Sequence, residues 1–119
     1  MTNETQVMPA VALRGITILP DMIVHFDVSR KKSIRAIEEA MTKDQRIFLI
    51  TQKDPKVEEP SEDDLYKIGT VAMIKQVAKV PKDMLRVLVE GMERAELMQL
   101  EDGTSYLEAE GDVMEREEE

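Results

Sequence analysis

One short motif in this sequence has the residue types and spacing of a catalytic pair. Ser29-Arg30-Lys31-Lys32 matches S-x-x-K, a spacing that places a serine and a lysine on one face of a helix. The lysine of such a pair acts as a base only when it is removed from water. Lys32 lies among three other cations, so we expect it to be exposed. We interpret Ser29 as a helix N-cap and predict no catalytic residue in this chain.

The sequence also lacks the usual motifs for nucleotides and metals. Neither G-x-x-x-x-G-K-[ST] nor G-x-G-x-x-G is present, and the chain has no Cys and one His. We interpret His25 as a half-exposed residue of a strand. The acids Glu58-Glu59 and Glu62-Asp63-Asp64 lack the spacing of a calcium loop, and we interpret them as a solvated loop. We therefore expect no metal and no cofactor in this chain.

The net charge of −9 is concentrated in two segments. Residues 54–64 carry six acids and one Lys, residues 108–119 carry seven acids and one Arg, and the rest is nearly neutral. A basic cluster, Arg30, Lys31, Lys32 and Arg35, could contact phosphate. The chain has only four aromatic residues to stack on bases, so we expect no nucleic acid to bind this domain.

Length and patterning predict one domain with mainly β structure and one α-helix. The 119 residues fit a single core, and no apolar run approaches the roughly 20 residues that span a membrane. There is no signal peptide, so a soluble cytoplasmic protein without a membrane partner is expected. Alternation predicts strands at 22–28 and 107–113, and the apolar run 47–50 predicts an internal strand. Apolar spacing within 29–44 predicts the helix.

The second half of the chain contains one ambiguous stretch. Residues 69–80 and 85–90 are rich in Val, Ile and Leu and flank Pro81-Lys82-Asp83, which predicts a hairpin. Glu93–Glu101 has strong helix propensity, yet Gly91 and Asp102-Gly103 would bracket a strand equally well. From the local sequence alone, we predict a helix for Glu93–Glu101 by a small margin. We expect one domain over residues 1–114 and an acidic tail at Glu115–Glu119.

Four sequence blocks in order resemble the N-terminal domain of the Lon protease family. They are Ala12-Leu13-Arg14-Gly15 to Val24, Val28-Ser29-Arg30-Lys31-Lys32-Ser33-Ile34, Ile47 to Gln52 followed by Asp64-Leu65-Tyr66-Lys67-Ile68-Gly69-Thr70-Val71-Ala72, and Arg86-Val87-Leu88-Val89-Glu90-Gly91-Met92-Glu93-Arg94-Ala95. The chain departs from the family where His25 stands for a common Pro, Ser29 for a Gly, and Asp83 for a turn Gly. The resemblance implies a PUA-like pseudo-barrel of about six antiparallel strands with one helix. It also implies that Glu93–Glu101 is a strand that follows a bend at Gly91.

The resemblance further implies a non-catalytic recognition domain cut from a larger protein. The parent would be an ATP-dependent serine protease that uses ATP and Mg, with its P-loop and Ser-Lys dyad outside this chain. It would form a homohexamer, and this domain would help to bind unfolded or damaged protein substrates and to support assembly. Turn position and adaptable apolar side chains select the candidate binding residues, which are Leu19, Pro20, Met22 and Met92.

Two alternatives stay open. The first is a stand-alone adaptor with the same fold, which the residues after Glu119 would distinguish from a protease domain. The second is an RNA-binding PUA-like module that uses Arg30, Lys31, Lys32 and Arg35, which salt-dependent RNA binding would reveal.

Overall fold

The secondary structure confirms a mainly β fold with one helix. The structure is a computed structural model that describes residues 5–57, 60–102 and 106–113, without the side chains of Thr5 and Asp102. Its elements are β1 (Thr5–Leu13), β2 (Ile23–Val28), α1 (Lys31–Thr42), β3 (Arg46–Thr51), β4 (Ile68–Val80), β5 (Met84–Asp102) and β6 (Leu107–Val113), with a short 3₁₀ turn at Glu62–Asp64.

The six strands form a sheet that curls into a ring. The hydrogen-bonded order is β2-β5-β4-β3-β1-β6, and β5 also pairs with β6, so the sheet closes through the second half of β5. β2 lies outside this closure and pairs with the first half of β5. All neighbouring pairs are antiparallel, as predicted, except the parallel pair β1–β3. That pair is parallel because β2 and α1 carry the chain across between the two strands.

Two groups of buried side chains fill the interior. α1 packs against β1, β3 and β6, and its buried face consists of Ser33, Ala36, Ile37 and Ala40. That face joins a cluster that includes Val11, Ile47, Ile74, Val87 and Val89. The second cluster surrounds Phe48, with Met8, Ile50, Leu65, Val71 and Leu107 among its members. The side chains of Ile47 to Ile50 are all buried, which confirms the prediction of an internal strand.

Three sequence predictions changed or resolved in the structure. α1 begins at Lys31 after Arg30, so the interpretation of Ser29 as N-cap was wrong, and no side-chain cap is present. Glu93–Glu101 is strand, as the resemblance implied and against its helix propensity, because pairing with β4 and β6 outweighs a preference of a few tenths of a kcal/mol per residue. β1 was not predicted from pattern. Pro9 interrupts its sequence, and its pairing with β3 begins only at Ala10.

The hairpin between β4 and β5 closes with three residues. Val80 pairs with Met84, and Lys82 and Asp83 both adopt positive φ angles, of 69° and 60°. The tight turn therefore forms without the family's glycine, at a cost in backbone strain.

Two predictions concern parts of the chain that the structure does not cover. The predicted acidic tail, Glu115–Glu119, and the acids Glu58 and Glu59 lie outside the described residues. Among the described residues, no helix is long and apolar enough to cross a membrane.

Candidate functional site

A tight turn precedes β2 at one end of the sheet. The Met22 amide donates a hydrogen bond to the Leu19 carbonyl oxygen at 3.2 Å, which closes a four-residue turn. Pro20 occupies its second position, and Asp21 occupies its third with φ of 68°. Proline followed by a positive φ is the pattern of a type II turn. Pro20 and Asp21 thus form a tight turn immediately before β2.

Backbone hydrogen bonds dock this turn onto β5 at Gly91. The Asp21 amide donates to the Gly91 carbonyl oxygen at 2.8 Å, and the Gly91 amide donates to the Met22 carbonyl oxygen at 2.9 Å. A Cβ atom on Gly91 would lie 2.2 Å from the Leu19 carbonyl oxygen. Only glycine therefore lets the turn approach β5 this closely.

The chain that leads into the turn is also anchored to the ring. The Thr51 hydroxyl on β3 donates to the Ile16 carbonyl oxygen at 2.9 Å. The buried Thr70 hydroxyl on β4 donates to the Ile18 carbonyl oxygen at 2.5 Å. Residues 14–22, which we call the connector, are thus fixed to β3, β4 and β5, and the turn is held in a defined position.

Apolar side chains are exposed on this anchored turn and beside it. Leu19 is 43% exposed, Met22 36% and Met92 42%, while Pro20 is half-buried against Gly91. The structure therefore brings the four predicted binding residues together. It adds Ile23, which is 65% exposed at the start of β2, on the same side as His25 and Asp27. We call Leu19, Met22, Ile23 and Met92 the turn patch.

The exposure of Met92 results from a β-bulge. β4 and β5 shift register where Val71 pairs with Glu93 and Ala72 pairs with Gly91, which leaves Met92 as the extra residue. A bulge redirects a side chain out of the regular alternation of a strand. Nothing in the sequence except the bend expected at Gly91 indicated it. Met98 is 50% exposed at a second register shift in β5, outside the turn patch.

Charged pairs surround the patch on β2, β4 and β5. Lys75 Nζ lies 3.3 Å from an oxygen of Glu90, which pairs with Ile23 across the sheet. Further along β2, Arg86 donates two hydrogen bonds to Asp27, at 2.9 and 3.3 Å. The hydrogen bonds from Arg86 hold the pKa of Asp27 below its ordinary value. The patch is thus an apolar surface with a charged border.

The other candidate residues do not assemble a site for catalysis or metal binding. Ser29 precedes the helix cap, so it does not share a helical face with Lys32, and the premise of a Ser-Lys pair fails. His25 is exposed on β2, as predicted. The described part of the chain contains no group of three His, Asp or Glu side chains that could hold a metal ion.

One member of the basic cluster is engaged within the protein. The guanidinium of Arg30 donates a hydrogen bond to the buried side chain of Gln52, whereas Arg35 is exposed further along α1. The base-stacking aromatic residues that the RNA alternative requires are not part of this cluster.

Comparisons with known proteins agree with the resemblance. A family model described as the substrate-binding domain of the ATP-dependent protease La (LON) matches residues 7–119. The Lon protease of Clostridium acetobutylicum is 50% identical over 110 residues, which are 92% of this chain and 14% of that protein. The Lon protease of Halothermothrix orenii is 40% identical over 119 residues, covering 98% of this chain and 15% of that protein. The chain thus spans about one seventh of the length of these relatives.

Solved structures share the fold. The N-terminal domain of the Mycobacterium avium complex Lon protease superposes with a TM-score of 0.76 at 20% identity, over 96% of this chain and 57% of that one. The Lon N-terminal domain protein from Xanthomonas campestris gives 0.70 at 12% identity, over 92% and 60%. These identities support the fold alone, and the family match over residues 7–119 supplies the assignment. The chain belongs to the family of Lon substrate-binding domains.

Proposed function

We propose that this domain binds exposed apolar segments of unfolded or damaged proteins through the turn patch, on behalf of an ATP-dependent Lon-type protease. One observation carries the proposal. Leu19, Met22, Ile23 and Met92 are exposed on a turn whose backbone is fixed by hydrogen bonds to Gly91, Thr51 and Thr70. Exposed apolar side chains on an ordered backbone are typical of a protein-binding surface.

The composition of the patch suits partners of varied sequence. Two of its four residues are methionines, whose unbranched thioether side chains adapt to different apolar shapes. Each methylene removed from water contributes about 0.8 kcal/mol, so a segment that covers the patch gains a few kcal/mol before its ordering cost. Binding by one domain should therefore be weak. Several copies in one assembly would strengthen it by avidity.

The remainder of the proposal concerns the parent protein. The curated relatives are named Lon protease and are about seven times longer than the matched segment. This supports a parent that supplies a P-loop ATPase with ATP and Mg, a Ser-Lys serine protease, and a homohexamer to which this domain contributes contacts. Under this proposal the domain recognises substrate, and the chemistry occurs elsewhere in the parent.

The test compares two exposed methionines of the same strand. Amide shifts of the labelled domain are followed while a reduced, alkylated unfolded protein is added. We expect residues 19–23 and 91–92 to shift. Met92→Gln alone should weaken binding about fivefold, and Met22→Gln added to it should raise the loss to about tenfold. The matched control, Met98→Gln, removes an equally exposed methionine outside the patch and should change affinity less than about twofold.

Two results would contradict the placement. One is a set of shifts that omits residues 19–23. The other is equal loss of affinity in the Met98→Gln and Met92→Gln variants, which would indicate general adhesion to apolar surface.

A further inference from the structure

A cleft opens between β1, β2 and the beginning of α1. Its volume is about 300 Å³. Its apolar wall includes Val11, Leu13, Ile16, Phe26 and Val28, and its polar lining consists of Arg14, Asp27, Ser29, Arg30 and Ser33. A space of this size admits a compact group with a few neighbouring atoms, and it differs from the turn patch in residues and chemistry.

Two amides at the beginning of α1 have no acceptor within the helix. The first intrahelical hydrogen bond is donated by Ile34 to the Arg30 carbonyl oxygen at 2.9 Å, so the amides of Lys31 and Ser33 have no acceptor within the helix. No side chain caps them, and the first turn contains no acid. Lysines occupy the first two helical positions instead, where the helix dipole disfavours cations. An anion at this end would accept hydrogen bonds from the amides of Lys31 and Ser33.

Ser33 is an independent sign of a ligand. It is only 6% exposed, and it lines the cleft. Its hydroxyl makes no hydrogen bond with any residue that the structure describes. The oxygen is not among the fully enclosed atoms, so it retains access to the space in the cleft. A buried hydroxyl with access to a cavity and no protein partner is suited to hydrogen-bond a bound group.

Two arginines line the cleft, and Arg14 supplies a positive charge at its mouth. Arg30 is held in place by Gln52, whose buried amide donates in turn to the carbonyl oxygens of Asp54 at 3.1 Å and Val57 at 2.8 Å. Arg14 is exposed at the mouth and forms no ion pair within residues 5–57, 60–102 and 106–113. Among the residues that the structure describes, one acid, Asp27, lines the cleft, and Arg86 compensates its charge through two hydrogen bonds.

We propose that this cleft binds one phosphate-class oxyanion, held by the Ser33 hydroxyl, the amides at the beginning of α1 and the guanidinium of Arg14. The anion is either a free phosphate-class ion or a phosphoryl group on a protein side chain. The inference does not depend on substrate binding at the turn patch.

The test uses inorganic phosphate as the probe on the whole 119-residue chain. Phosphate is titrated at constant ionic strength, balanced with sodium chloride, while amide and arginine side-chain shifts are recorded. We expect one saturable isotherm for residues 31–33 and Arg14. Arg14→Gln should weaken binding about tenfold and Ser33→Ala about threefold, as expected for charged and neutral hydrogen bonds.

The matched control is Arg94→Gln, which removes the same charge from an exposed arginine that does not line the cleft. It should leave phosphate affinity within about twofold. Equal losses in the Arg14→Gln and Arg94→Gln variants, or shifts that chloride reproduces, would overturn the proposal by showing only general screening.

A second arm identifies the source of the anion. A phosphoserine peptide that binds more tightly than inorganic phosphate supports a protein source, and equal affinity supports a free ion. An unphosphorylated peptide should not bind this cleft. Single-stranded RNA is titrated as well. If RNA shifts the amides of residues 30–35 and inorganic phosphate gives no saturable isotherm, the proposal is overturned in favour of a nucleic-acid surface.

Discussion

Replacing Gly91 with alanine should detach the turn patch from β5 while leaving the ring folded. The new Cβ would lie 2.2 Å from the Leu19 carbonyl oxygen, whereas ordinary contacts begin at 3.4 Å. The turn must therefore retreat by about 1 Å, which lengthens the 2.8 and 2.9 Å bonds at Gly91 beyond hydrogen-bonding distance.

The expected loss of stability follows from those two bonds. Each contributes about 1 kcal/mol, and alanine recovers about 0.5 kcal/mol by restricting the unfolded chain. The net change in the free energy of unfolding should be about 1.5 kcal/mol, which for a domain of this size lowers Tm by about 6 °C. Thermal unfolding followed by circular dichroism measures it. Amide shifts of residues 19–23 should change more than those of β3 and β6.

Gly111→Ala is the matched control. Its Cβ would lie 2.7 Å from a ring carbon of Phe48, in the second core cluster and away from the turn. It should destabilise the domain by about 1–3 kcal/mol through overpacking, yet preserve binding of unfolded protein when both variants are fully folded. If Gly91→Ala melts within about 2 °C of the parent sequence and the shifts of residues 19–22 stay unchanged, the assignment of the docking contact is refuted.

Three further changes test other parts of the fold. Thr70→Val should cost about 1–3 kcal/mol in chemical denaturation because it leaves the Ile18 carbonyl oxygen without its donor, and Thr70→Ser should restore most of the loss. Asp27→Asn should lower stability at neutral pH. Because Arg86 depresses the folded-state pKa of Asp27, the stabilisation is present above the unfolded pKa and is lost as pH falls through the folded pKa, so the two melting curves should converge in acid. A persistent gap would contradict that linkage. Asp83→Gly should stabilise the hairpin by about 1 kcal/mol because its φ of 60° is strained for any residue but glycine, and an unchanged Tm would argue against strain there.

Alternation was a reliable guide where one face of a strand is wet. Ile23–Val28 and Leu107–Val113 have that pattern, and both are strands with the predicted inward faces. β1 lacked a usable pattern because Pro9 interrupts an apolar run that is buried on both sides. For Glu93–Glu101 the local sequence was misleading rather than uninformative. Its local preference is helical, and only long-range pairing with β4 and β6 makes it a strand.

The candidate site was predictable to the extent that it depends on turn chemistry. Pro20-Asp21 indicated the turn, and Gly91 indicated a bend beside Met92. The sequence did not indicate that the two would be hydrogen-bonded to each other, since this depends on the register of β2 with β5. Ile23 was missed although the alternation that buries Val28 extends to it, because it shares the exposed face of β2 with the polar residues His25 and Asp27.

The connector joins the two proposed surfaces, so their independence is itself testable. Arg14 lines the cleft at one end, and Leu19 begins the turn at the other. Between them, Thr51 and Thr70 fix the backbone to β3 and β4. Thr51 and Thr70 belong to strands of the closed ring. A backbone displacement at Leu19 should therefore not be transmitted to Arg14, nor one at Arg14 to Leu19.

We therefore expect Gly91→Ala to change phosphate affinity less than about twofold, and Arg14→Gln to leave binding of unfolded protein equally unchanged. The double variant Thr51→Val with Thr70→Val lacks both hydrogen bonds that fix the connector. In this variant, bound phosphate should change the affinity of the turn patch for unfolded protein. Titrating both ligands, alone and together, against these variants measures the coupling. Loss of phosphate binding in Gly91→Ala, with the ring intact, would mean that the connector moves as one body and that its two threonine anchors do not isolate its ends.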